Sequence, residues 1–135
     1  MSYTELQELA KKKIKEYDIE LQGLADYIIR EENLKPITIQ VKNILRCGRA
    51  RYRTRKITIP LWASDRGIEY LYYYLIHEVT HFVCLDRGIY CGHGKTFKEI
   101  ESKWLKEFGL LPIYAKAYAK GLRNLNGDTI WKRSW

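Results

Sequence analysis

Long apolar runs are absent from this chain. The longest, Tyr70 to Ile76, falls far short of the ~20 residues that span a bilayer, and the amino-terminal residues lack an apolar signal core. No membrane partner is expected, and the expected location is the cytoplasm. Cysteine is scarce as well. Cys47, Cys84 and Cys91 include no CxxC pair and leave one over whatever is bridged, which fits a reducing compartment and excludes a disulfide framework. Cys84 and Cys91 could each serve as a metal ligand, but buried free thiols are the expectation, because cysteine packs as a small hydrophobe. No repeat, low-complexity block or linker divides the 135 residues, so one domain, 1–135, is expected. A chain of this size buries about two thirds of its unfolded surface and needs no staple.

Histidine is equally sparse, at three residues, yet all three fall in one stretch: His77-Glu78-Val79-Thr80-His81, then His93 within Gly92-His93-Gly94. On a helix, residues four apart share a face one turn up the axis, so the imidazoles of His77 and His81 can converge on one cation. Glu78 points beside that pair, placed to reach a metal-bound water without ligating the metal. Catalytic zinc takes three protein ligands and an open position, and His93 is the natural third. A glutamate further on, Glu99 or Glu101, is the alternative third ligand. One zinc ion is the expected cofactor, since three neutral imidazoles around an open position suit it.

The context supports a helix. From Arg66 to Leu85 there is no proline, and Ile68, Leu71, Leu75, Val79 and Phe82 recur at three- and four-residue intervals as a core-facing stripe. The opposite face, with Tyr70, Tyr74, His77, His81 and Leu85, is expected to line a cleft. Ser64 or Asp65 is the expected N-cap, with Gly88 closing the stretch. A second helix opens with Thr96 and Glu99 as a capping box, runs through Ile100, Trp104 and Phe108, and stops at Gly109. Upstream, Leu6 to Ile28 holds helical spacing, as one helix or as two broken at Gly23. Ile37–Val41, Leu45–Arg53 and Lys56–Ile59 then read as an antiparallel sheet of about three strands. From Pro112 onward a further helix and an aromatic-rich end are expected.

These residues resemble the SprT-like (Spartan-type) zinc metallopeptidases and, more loosely, the YgjP-like group. The likeness rests on His77-Glu78-Val79-Thr80-His81, on Gly92-His93-Gly94 followed by Phe97-Lys98, and on Gly48-Arg49-Ala50-Arg51-Tyr52 and Ile57-Thr58-Ile59-Pro60 upstream. It covers roughly half the chain, from Ile37 to Gly109. The resemblance implies a small α+β zincin-like domain, zinc on His77, His81 and His93, and Glu78 as general base in peptide-bond hydrolysis. It also implies DNA-bound proteins as substrates, hence protein or peptide and DNA as partners and a place near the nucleoid. The cysteine-rich zinc ribbon that many such proteins carry has no counterpart here. Metzincin spacing is excluded, because Cys84 and Arg87 stand where that pattern needs glycine and histidine. Tyr70, Tyr74, Tyr90 and Tyr114 are all open as oxyanion partners, and the sequence selects none of them.

The net charge of +8 is the second clue. Arg49, Arg51, Arg53 and Arg55 alternate at strand period, and on a straight strand they form a positive row suited to phosphates. The leading expectation is a zinc-dependent endopeptidase acting on proteins at nucleic acid. The alternative is a nucleic-acid-binding module whose metal is structural.

Overall fold

The computed structural model describes residues 2–89 and 93–110. The architecture is α+β: α1 (Tyr3–Glu31), β1 (Thr38–Lys42), β2 (Arg49–Arg51), β3 (Lys56–Pro60), a 3-10 helix (Leu61–Arg66), α2 (Ile68–Asp86) and α3 (Lys95–Glu107). The expected tail from Pro112 lies outside the described residues, as do Tyr90, Cys91, Gly92 and Tyr114.

Helix α1 is a single element. Ser2 Oγ accepts the Glu5 N–H at 3.1 Å as its cap, and Gly23 sits exposed within it without a break. Its carboxyl half supplies the fully buried Leu21, Ala25 and Ile28, with Ile14 and Tyr17 partly buried against the core, while Tyr3, Leu6 and Leu9 remain in solvent. That half also closes one edge of the sheet. Ile39 N–H donates to Gln22 Oε1 at 2.8 Å, Gln22 Nε2 donates to the Ile37 carbonyl at 2.8 Å, and Val41 N–H donates to Asp18 Oδ1 at 2.6 Å. Side chains thus satisfy backbone groups that a neighbouring strand would otherwise take.

The sheet is mixed, in the order β1-β3-β2, which corrects the antiparallel expectation. Strand β3 carries Ile57, Thr58, Ile59 and Pro60 buried in succession, so it takes the middle. The chain reverses between β1 and β2 and again between β2 and β3, so β3 runs parallel to β1 and antiparallel to β2. The second strand is also shorter than expected, only Arg49–Arg51. Its start is pinned. Gly48 N–H donates to the Tyr74 hydroxyl at 2.6 Å, and a Cβ at Gly48 would lie 1.9 Å from the Thr58 carbonyl oxygen, so only glycine fits that approach.

Helix α2 is the core of the molecule. Every residue from Tyr70 to Thr80 except Tyr72 is buried, so the expected division into a core stripe and an open face does not hold. The sheet covers one side, α1 and α3 cover others, and even the histidine side is mostly enclosed. Ile68, at the head of the expected stripe, is instead 38% exposed. The helix begins after Gly67 at φ 103°, not at Ser64 or Asp65, because the 3-10 turn takes those residues. It ends as expected, with Gly88 at φ 68°. Helix α3 likewise starts one residue before Thr96, with Gly94 as N-cap and no side-chain cap. No helix among the described residues is long and apolar enough to cross a membrane.

Glu32, just past α1, ties the helix ends together. Its side chain is 3% exposed and accepts from Trp104 Nε1 at 2.8 Å, from Lys103 Nζ at 3.1 Å and from Arg87. Burial alone would raise this carboxyl, but the Lys103 and Trp104 hydrogen bonds and the Arg87 charge outweigh it and hold it below 4.5. A depressed native pKa stabilises the fold above the unfolded value and loses that stabilisation as pH falls through the native one. Glu32→Ala is expected to cost about 2–3 kcal/mol at pH 7. In urea titrations the gap from wild type should close as pH drops below about 4.5, the ordinary glutamate range.

Candidate metal centre

His77 and His81 stand one turn apart on α2, and His93, just before α3, packs back against both of them as the sequence predicts. The three rings close on one point, with centroids 5.3 Å (His77–His81), 5.1 Å (His77–His93) and 4.9 Å (His81–His93) apart. One ring nitrogen from each lies within 4.8 Å of the others, close enough to bind a metal ion. The Nε2 atoms of His81 and His93 are 3.2 Å apart. Metal–nitrogen bonds of about 2.0–2.1 Å in a tetrahedron place donors about 3.3 Å apart, so this pair already has the spacing of a shared ion.

Glu101, buried on α3, orients the first ligand. Its Oε2 lies 2.6 Å from His77 Nδ1, both side chains being almost wholly buried, so Nδ1 carries the proton and Nε2 presents its lone pair inward. The sequence offered Glu99 or Glu101 as ligands. Glu101 instead bonds to His77, and Glu99 is exposed. Phe97, in the first turn of α3, was legible only as part of a family pattern. Its ring packs against all three histidines, with centroids 5.1, 4.6 and 5.0 Å away, and forms an apolar wall. Burial, with the neighbouring His77 and His93, pushes His81 down to about 3, which keeps it in the neutral form a metal requires.

Glu78 is 2% exposed, and its Oε1 is buried with no hydrogen-bond partner among the described residues. Burial pushes it up to about 7, with Glu101 adding to the rise and His77 and the Ala50 backbone hydrogen bond opposing it. A carboxyl so tuned can take and return a proton near neutral pH. Because Ala50 is the middle residue of β2, the same hydrogen bond sets the strand's edge beside Glu78. Tyr52, just past β2, faces this region. Its ring meets His81 edge-on at 6.3 Å and Phe82 at 5.5 Å, yet it stays 47% exposed.

Other sequence-predicted residues fall elsewhere. Tyr70 is buried with its hydroxyl against Arg66 Nη1, and the Tyr74 hydroxyl is taken by Gly48. Cys84 is disulfide-bonded, which corrects the free-thiol expectation and removes it as a thiolate ligand. The four-arginine row also fails as a row. Arg49 and Arg51 are exposed on β2, but Arg53 lies in the following turn and Arg55 adopts φ 53°. Arg55 then swings back to Asp86, with Nη1 and Nη2 donating at 2.8 and 2.7 Å, and also meets the Lys35 and Pro36 carbonyls. Four arginines expected on one straight strand became two because the chain must reverse into β3.

No protein-family model, no curated protein and no solved structure matches this chain.

Replacing Glu101 by Gln keeps the shape but removes the charge that holds the His77 proton. Metal affinity, measured by competition with a chromophoric chelator, is expected to weaken by about 10–100-fold while the far-ultraviolet circular dichroism is retained. Equal affinity would show that the carboxylate does not support the ligand.

Proposed function

We propose that the protein is a zinc-dependent metalloendopeptidase of zincin type, with zinc held by His77, His81 and His93 and with Glu78 as general base. The observation that carries this reading is the convergence of three imidazoles beside a buried carboxyl whose neighbour Ala50 lies on a strand edge left unpaired among the described residues. The SprT-like motif resemblance points the same way. Zinc held by these three imidazoles would supply Lewis acidity and would lower the pKa of water to about 7. Glu78 takes a proton from the attacking water and returns it to the departing amine, so no net proton is left on the protein. Phe97 excludes solvent from the ligand rings on one side. Because α1 side chains occupy the β1 edge, β2 is the edge among the described residues along which an extended peptide would add, next to the Ala50 N–H that Glu78 holds.

Glu78→Gln should retain metal and fold but lose peptide hydrolysis by about 10²–10⁴-fold, the range of a general base. Metal content by atomic emission and cleavage of an unstructured protein such as casein check this together. Turnover equal to wild type would remove Glu78 as the base.

Nucleic acid is the second partner in this reading, supported by the outer face of the sheet. Register aligns Arg49 with Thr58 and Gln40, and Arg51 with Lys56 and Thr38, while Lys42 lies beside Pro60. No strand residue is acidic, and Lys42, Arg46, Arg49 and Arg51 line one shallow cleft. The Arg49→Ser, Arg51→Ser double variant should bind DNA more weakly and reduce the slope of log affinity against log salt by about 2. Binding unchanged in both respects would assign these arginines to solvation alone and would leave the metal site untouched.

A further inference from the structure

We propose that the Tyr52 phenol is a catalytic group of this site, donating a hydrogen bond to the carbonyl oxygen of the scissile peptide as that oxygen gains negative charge. The inference rests on the peptidase reading above. Strand alternation sends Ala50 to the α2 side and Arg49 and Arg51 to the other, and Tyr52, in the turn that follows, is placed on the α2 side by its ring contacts with His81 and Phe82. Ala50 there meets Glu78, and Tyr52, two residues on, meets His81 edge-on at 6.3 Å. The two groups therefore flank the metal site from the same edge that would receive substrate.

The other tyrosines near α2 are committed. Tyr74 binds Gly48, Tyr70 binds Arg66, Tyr72 binds Glu20, and Tyr73 is 1% exposed. Among the described tyrosines, Tyr52 combines contact with a ligand ring and access to solvent. One side of its ring is braced by Phe82, at 5.5 Å, so the phenol is carried on a packed ring and not on a free side chain.

In the step itself water adds to the carbonyl carbon, the C–N bond breaks, and the water proton passes through Glu78 to the amine nitrogen. Tyr52 keeps its proton throughout and contributes only a hydrogen bond that strengthens as the oxygen charges. A single donor of this kind is worth about 10²–10³ in kcat.

Tyr52→Phe tests this, because the ring contacts with His81 and Phe82 survive and only the hydroxyl is lost. The expected result is kcat lower by about 10²-fold with KM changed less than about threefold. Affinity of the zinc-loaded protein for a phosphinic peptide, whose tetrahedral oxygens mimic the charged carbonyl, should fall by a similar factor. Zinc stoichiometry should be unchanged. Wild-type kcat together with wild-type phosphinate affinity in Tyr52→Phe would overturn the assignment while Glu78-dependent cleavage still upheld the peptidase reading. Absence of Glu78-dependent cleavage in the wild-type protein would overturn both.

Discussion

Ionisable groups taken out of water must be matched by opposite charge or by hydrogen bonds, and that constraint governs the centre of this molecule. The contact of α2 with α3 encloses Glu101 and His77 almost completely, Glu78 is buried on the β2 side of α2, and His81 and His93 are only partly open. Glu101 is matched by the proton on His77, whereas Glu78 receives little beyond one backbone N–H. A divalent cation among the imidazoles would balance two nearby carboxylates in charge. The same enclosure that makes these groups costly lets them act strongly on one another, since water does not screen them.

The remaining structure holds these groups at fixed spacing. Helix α2 bears the first two imidazoles on a segment packed on nearly all sides, so their separation follows from helical geometry and not from side-chain choice. Helix α3 contributes Phe97 and Glu101 from one face, four residues apart, so a single rigid element both walls the rings and orients His77. Glu32 fixes that element to the ends of α1 and α2. On the opposite flank, Tyr74 and Gly48 anchor the start of β2 to α2.

What the sequence made legible were the features written in local spacing. The four-residue interval of His77 and His81 and the glycines around His93 pointed to their convergence, and α1 and β1 emerged from their apolar periods. Features set by distant partners did not emerge. The parallel pairing of β1 with β3 depends on which strand is buried on both faces, and the central place of α2 depends on how many elements cover it. Arg55 looked like a strand cation because its left-handed turn and its bond to Asp86, far along the chain, leave no local mark. Glu101 stood among the candidate ligands, and its contact with His77 was not legible, since spacing alone does not show which side chain a glutamate meets.

Gln22 and Asp18, by occupying the backbone of β1, leave β2 as the one unpaired edge of this sheet among the described residues. Two copies meeting edge to edge would have to use β2 against β2, which closes about a twofold axis and admits no third chain. Such a pair would also cover Ala50 on both copies. Among the described residues, self-association through the sheet would therefore stop at a pair in which each copy covers the other's Ala50.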